Sequence, residues 1–106
     1  MRAGEAMRRK IIAEQTLLAT IIFDNKKFAS ARVQVGPDEF SYDLHRMIYE
    51  AMLVLNANNE FIDYINLSDR LLGAGQIAAY TYLKNFHAWP ISEDIDGLVE
   101  SIINCR

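Results

Sequence analysis

The chain has 106 residues, of which 51% are hydrophobic and 24% charged, and these values are typical of one globular domain rather than of a disordered tail. Its formal net charge of −3 at pH 7 gives no general attraction for nucleic acid, so we do not expect direct DNA binding. The single cysteine, Cys105, excludes an internal disulfide. No apolar run is long enough to span a bilayer, and no signal-peptide pattern opens the chain. We therefore expect a cytoplasmic protein without membrane association.

Residues 1–10 are predicted to form a basic leader ahead of a folded domain at residues 11–106. The leader has one acidic residue, Glu5, against four basic ones: Arg2, Arg8, Arg9 and Lys10. Such a cluster is typical of a solvated terminal segment. It would also suit contact with phosphate groups, which leaves a nucleic-acid-binding regulator open as an alternative function.

The first predicted helix follows this segment and has a wide apolar face. Leu17 and Ile21 lie one helical turn apart, as do Leu18 and Ile22, while Glu14 falls on the narrow polar side. A bundle this small is not expected to cover the whole of such a face, and an uncovered apolar patch usually marks a partner site. We therefore predict an interface that uses this helix and exposed tyrosines: Leu17, Ile21, Tyr42 and Tyr49.

A short second helix is predicted over residues 26–32, with Asp24 and Asn25 as candidate caps. The dipeptide Gly36-Pro37 then begins a tight turn. Phe40 is expected to anchor this turn in the core.

The longest apolar stripe predicts the central helix of the domain, over residues 44–55. Its members recur at i, i+3, i+4, i+7, i+8 and i+11, which is the period of one helix face and not of a strand: Leu44, Met47, Ile48, Ala51, Met52 and Leu55. Asp43 is a candidate N-cap for this helix. The opposite face carries Arg46 and Glu50, so the apolar face needs other helices to cover it.

Three further helices complete the prediction. They are expected at residues 64–72 with Asp63 as N-cap, at 76–86 with Ile77 buried, and after Ser92 to the end of the chain. Gly97 in the last of these costs about 1 kcal/mol relative to alanine, so this helix is expected to fray first. Since no segment alternates with period two, the predicted fold class is all-α, a single compact bundle of five to six helices.

The sequence shows no catalytic, cofactor-binding or metal-binding constellation. Two histidines and one cysteine do not supply the ligand spacing of a zinc site, and Gly73-Ala74-Gly75 has no lysine placed to reach a phosphate. His45 has no indicated nucleophile, so we expect a structural imidazole that bonds to backbone or to a carboxylate near the turn at Phe40. These residues predict a small helical binding module that is not an enzyme and has no cofactor.

Five short blocks carry a family resemblance in their order and spacing. They are residues 13–19 (AEQTLLA), 39–51 (EFSYDLHRMIYEA), 62–67 (IDYINL), 78–83 (AAYTYL) and 90–95 (PISEDI). In this order they resemble the N-terminal domain of bacterial replicative DNA helicases of the DnaB family, over about residues 11–104. Ser41 stands where the family hallmark has tyrosine, and Ala78-Ala79 stands where it has paired glycine, which indicates a diverged member.

The resemblance implies structural roles for ten residues of these blocks: Glu14, Leu18, Phe40, His45, Ile48, Ala51, Asp63, Leu67, Tyr82 and Leu83. It also implies a non-catalytic interaction domain of DNA replication, similar to the collar domain that supports ring assembly and primase or loader contact in such helicases. The implied partners are replicative helicase subunits, primase or a helicase loader. ATP hydrolysis belongs to a separate domain of the family, so it is not expected of these residues.

The resemblance also bears on assembly. Much of the self-association of the family resides in a helical hairpin that does not follow the domain up to Arg106, so a monomer or weak homodimer is expected. A stand-alone regulator of phage or plasmid type that mimics the collar domain is the alternative.

Overall fold

The computed structural model describes residues 3–104, and these residues form six α-helices and two short 3-10 turns without a β-strand. The helices are α1 (Ala3–Phe23), α2 (Lys26–Arg32), α3 (Asp43–Ala57), α4 (Tyr64–Gly73), α5 (Ile77–Leu83) and α6 (Ile95–Ile103). The 3-10 turns are Pro37–Glu39 and Phe86–Ala88. The predicted all-α bundle is therefore confirmed.

Helix α3 packs against α4 and α5 on one side of the bundle, and α1 packs against α6 and also contacts α3. Four residues of the α3 stripe are buried, with Ile48 and Met52 wholly enclosed, while Leu44 and Met47 at its start are half-buried against the core. The radius of gyration of the Cα atoms is 13.0 Å, as expected for a domain of about 100 residues with one shared core.

Helix α1 begins at Ala3, so residues 3–10 belong to the first helix and are not a separate leader. Lys10 is fixed inside the fold: its Nζ donates to the carbonyl oxygen of Ile102 at 2.7 Å and to that of Glu39. Residues 3–5 and 7–9 of the predicted leader are exposed, as expected of a solvated segment, but their backbone continues the helix and Lys10 is bonded to two other elements. Arg2 lies outside the described residues, as does Cys105.

The helix ends follow the predicted caps only in part. Asp63 caps α4 as predicted, since its Oδ1 accepts the N–H of Asn66 at 2.8 Å. Asp43 is instead the first residue of α3 and pairs with Arg46. Ser92 is also not the cap of α6: Asp94 takes that place, with its Oδ1 accepting the N–H of Gly97 at 3.0 Å.

Two side-chain hydrogen bonds hold connecting segments of the chain against α1 or its end. Asn25 does not cap α2; its Oδ1 accepts the N–H of Ile62 at 2.6 Å, which holds the segment before α4 against the end of α1. Thr20 accepts the N–H of Ser92 at 3.0 Å, which holds the segment before α6 against the same helix. None of the helices within residues 3–104 is long and apolar enough to cross a membrane.

Candidate functional site

The motif blocks meet at the side chain of Glu14. This residue lies on α1 and is fully buried, so its predicted place on the polar side of the helix is wrong. A buried carboxylate is costly unless donors surround it, and the fold provides them from three directions. We call Glu14, three of its donors and the two residues bonded beyond His45 the Glu14 cluster: Lys10, Glu14, Gln15, Ser41, His45 and Tyr82.

The first donors come from the segment between the Pro37–Glu39 turn and α3. Phe40 is buried and anchors this segment, as predicted, which brings the next residues to the carboxylate. The N–H and the hydroxyl of Ser41 both donate to Glu14 Oε2 at 2.8 Å. The ammonium group of Lys10, one turn earlier on α1, lies 3.4 Å from the same oxygen.

The second contact is with His45 on α3, whose imidazole is fully buried. Its Nδ1 lies 2.9 Å from Glu14 Oε1, and its Nε2 lies 2.8 Å from the hydroxyl oxygen of Tyr82 on α5. The imidazole is bonded to a carboxylate beside the turn at Phe40, and this carboxylate comes from α1. A purely structural role for His45 stays a prediction.

The directions of the hydrogen bonds are mutually consistent. Gln15 donates from Nε2 to the Tyr82 hydroxyl oxygen at 2.9 Å, which leaves that hydroxyl to donate to His45 Nε2. An imidazole with its proton on Nδ1 then donates to Glu14 Oε1 and accepts at Nε2, so both ring nitrogens of His45 have partners.

Aromatic rings close the cluster on its outer side. Tyr42 meets the His45 ring edge-on at a centroid distance of 4.8 Å, and Tyr82 packs against Trp89 at 4.9 Å. Tyr42 remains 38% exposed, whereas Trp89 is buried. These rings exclude water from the hydrogen bonds beneath them.

The electrostatic state of the cluster follows from these contacts. Burial by itself raises the pKa of Glu14, but the hydrogen bonds from His45 and Ser41, together with the charge of Lys10, outweigh it and lower the pKa from 4.5 to about 2. Burial raises the pKa of Tyr82, so its hydroxyl stays protonated. The carboxylate and both imidazole nitrogens are thus engaged within the protein, and the cluster ties α1, α3 and α5 together.

The other motif residues take core or capping positions. Leu18, Ile48, Leu67 and Leu83 are fully enclosed, and Ala51 is buried beside them. The sequence did not identify Lys10 or Ser41 as partners of Glu14, or Gln15 as a partner of Tyr82. The available signal was the spacing of four residues from Lys10 to Glu14, which places them on one helix face.

The predicted interface is wrong for three of its four residues. Leu17, Ile21 and Tyr49 are fully buried, because the helices packed on α1 and α3 cover their faces. Tyr49 points inward and donates from its hydroxyl to the carbonyl oxygen of Val35 at 2.7 Å. Tyr42 as an interface residue stays a prediction.

The chain was compared with known families, sequences and structures. The model of the DnaB-like helicase N-terminal domain matches residues 6–104. The fold is similar to the crystal structure of the N-terminal domain of DnaB helicase from Mycobacterium tuberculosis, with a TM-score of 0.78 and 21% sequence identity over 88% of this chain and 67% of that one. No curated protein sequence is significantly similar to the chain. Since the family model spans nearly all of its residues, the chain belongs to the DnaB-like helicase N-terminal domain family.

Proposed function

We propose that the chain acts as a non-catalytic protein-interaction domain of DNA replication, comparable to the collar domain of a replicative helicase. Its role would be to support ring assembly and to contact primase or a helicase loader. The observation that carries the proposal is the match of residues 6–104 to the model of the DnaB-like helicase N-terminal domain.

The described site supports an interaction role over a catalytic one. The polar atoms of the Glu14 cluster are used in bonds that hold helices together, and His45 has no exposed surface from which to act on a substrate. Several large apolar side chains on the surface are by contrast exposed, among them Phe23, Phe61 and Ile65. Exposed apolar groups of this kind suit contact with another protein.

A nucleic-acid-binding regulator is the less favoured function. Of the basic residues within the described part of this segment, residues 3–10, Lys10 is engaged with two backbone carbonyls and a buried carboxylate, while Arg8 and Arg9 are exposed cations. Two exposed arginines neutralise few phosphates and predict a shallow dependence of affinity on salt.

The test measures binding of the purified chain to an intact replicative helicase, to primase and to duplex DNA. We expect micromolar or tighter binding to helicase or primase, no ATP hydrolysis, and a monomer or weak dimer in light scattering over a concentration series. Nanomolar DNA binding with a steep salt slope, together with no binding to helicase or primase, would reject the proposal.

The same titration separates a collar domain from a stand-alone regulator. Loss of helicase activity when the chain is added in stoichiometric amounts would identify a regulator that competes for the collar contacts. Unchanged activity with retained binding would identify a domain that acts only within its own protein.

A further inference from the structure

The surface around Phe23 has the form of a docking groove. Phe23 ends α1 and is 66% exposed, and Ile91 beside it is 54% exposed. Two cavities flank Phe23: one of about 280 Å³ shared with Ile91, and one of about 310 Å³ shared with Tyr64 and Phe86. We call these four residues and the two cavities the Phe23 groove.

The walls of the Phe23 groove are fixed by contacts already present in the free chain. The Ile91 side is held by the bond from the N–H of Ser92 to Thr20, and the opposite side by the bond from the N–H of Ile62 to Asn25. The rings of Tyr64 and Phe86 stack at a centroid distance of 5.4 Å and an interplanar angle of 18°. A groove that is ordered before binding costs its partner little conformational entropy.

The rim of the groove is acidic. Asp24 and Glu93 line the cavity on the Ile91 side and Asp63 lines the other, against a single ammonium group, that of Lys27. Asp24 and Asp63 each accept a backbone N–H at the start of a helix, which fixes the positions of their carboxylates. An apolar floor with three carboxylates around it favours a partner that is apolar in the middle and basic at its edges.

We propose that the Phe23 groove binds one amphipathic helix of a partner protein. Two large apolar side chains of that helix fill the cavities on either side of the Phe23 ring. These two side chains are three or four residues apart in the helix, or seven residues apart if they are separated by two turns. Lysine or arginine residues beside these anchors face Asp24, Asp63 and Glu93. The inference rests on the proposed function, because it identifies the surface through which an interaction domain makes its contact.

The test uses three synthetic helical peptides and nuclear magnetic resonance of the 15N-labelled chain. The first peptide has two leucines four residues apart flanked by lysines, the second has glutamates in place of the lysines, and the third has alanines in place of the leucines. We expect the first peptide to shift amide signals of residues 20–24, 61–64 and 86–93. The other two should bind at least tenfold more weakly.

Variants of the chain test the groove itself. Phe23→Asp and Glu93→Lys should each weaken binding of the lysine peptide at least tenfold. Ile77→Asp is the matched control, because Ile77 is 55% exposed at the start of α5 and an acidic residue is favourable in the first turn of a helix. It should leave the affinity unchanged. Circular dichroism of each variant verifies that the helices are retained.

Four outcomes would overturn the inference: equal binding of the lysine and glutamate peptides, signal shifts confined to another face, an effect of Ile77→Asp as large as that of Phe23→Asp, or no binding at millimolar peptide. Disruption of a homodimer by Phe23→Asp would also overturn it, since the occupant would then be a second copy of the chain. Binding of helicase or primase that survives Phe23→Asp would reject the groove as the contact and leave the proposed function intact.

Discussion

Glu14 contributes to stability only while it is ionised. Its pKa is about 2 in the folded protein and 4.5 in the absence of the fold, because the donors around it favour the carboxylate. A lowered pKa means that the unfolded chain binds more protons than the folded one between these values. The stabilisation is therefore fully present above about pH 5 and is lost as the pH falls toward 2, with a size on the order of 3 kcal/mol.

The first prediction concerns Glu14→Gln. The amide keeps the shape of the side chain but turns an NH2 group toward a site that holds only donors, namely Lys10, Ser41 and the Nδ1–H of His45. We expect the free energy of unfolding to fall by about 3 kcal/mol at pH 7. The difference from the unsubstituted chain should shrink between pH 5 and pH 2 in urea titrations.

Glu50→Gln provides the matched control, because Glu50 is exposed on α3. It should change the free energy of unfolding by less than about 0.5 kcal/mol at pH 7 and throughout the range from pH 5 to pH 2. A difference between Glu14→Gln and the unsubstituted chain that stays constant from pH 7 to pH 2 would contradict this account of the cluster.

The burial of Glu14 shows where sequence reasoning stops at single residues. Hydrophobic periodicity assigns every glutamate to the solvent-exposed side of a helix. The partners of Glu14, Ser41 and His45, lie 27 and 31 residues away from it in the sequence. No local pattern records such distant contacts. The family resemblance assigned structural roles to Glu14, His45 and Tyr82, but it did not predict the hydrogen bonds between them.

Gly97 in helix α6, which the sequence analysis treats only as a cost to helix stability, leaves room for the side chain that caps the helix. On propensity alone, alanine at position 97 is expected to stabilise the helix by about 1 kcal/mol. A Cβ atom at this position would lie 2.2 Å from Oδ2 of Asp94, the residue that caps the helix. Asp94 would have to turn away, and its bond to the N–H of Gly97 would be lost.

The second prediction is that Gly97→Ala does not stabilise the domain. The gain in helix propensity and the loss of the cap are both about 1 kcal/mol, so the melting temperature should stay within about 3 °C of the original. Gly73→Ala is the control, since a Cβ atom there meets no atom within 4 Å at the end of α4. That change should raise the melting temperature.

A double substitution completes the comparison. In an Asp94→Ala background the cap is already absent, so Gly97→Ala should then stabilise α6 by about 1 kcal/mol. Equal effects of Gly97→Ala with and without Asp94 would show that the two residues are not coupled.

At the level of helices the sequence was a good guide, because each apolar stripe implies one covered face. The stripe of α3 and the proline-led turn before it were predicted within one or two residues of their positions. The interface was mistaken because a wide stripe shows only that a face is apolar, not whether the same chain covers it. Leu17 and Ile21 are covered by the chain's own core, whereas Ile77, expected to be buried, lies at the surface.

The third prediction compares the loss of stability caused by aspartate at two neighbouring positions of α3, one inside the core and one at its edge. Ile48 is fully enclosed, so Ile48→Asp buries an unpaired charge, which costs several kcal/mol against a total stability of about 5–15 kcal/mol. The domain should be unfolded or close to it. Met47 is half-buried and lines a surface groove beside Arg70, so Met47→Asp should cost about 1–2 kcal/mol.

Thermal unfolding followed by circular dichroism distinguishes the two variants. The apolar stripe alone does not distinguish the two positions, since both Met47 and Ile48 belong to it. Equal melting temperatures for the two variants would show that the core does not centre on the face of α3 that carries Ile48.

The pairing of α1 with α6 sets an order of events during synthesis. The bond from Lys10 to Ile102 spans 92 residues, and α1 packs more extensively on α6 than on any other described helix. A ribosome that adds about 5–20 residues per second needs roughly 4–16 s to proceed from the end of α1 to residue 102. Throughout that interval the nascent α1 lacks its principal neighbour, and part of its apolar face is open to chaperones. Of the described helices, α1 is made before the other five and is therefore among the last to be secured.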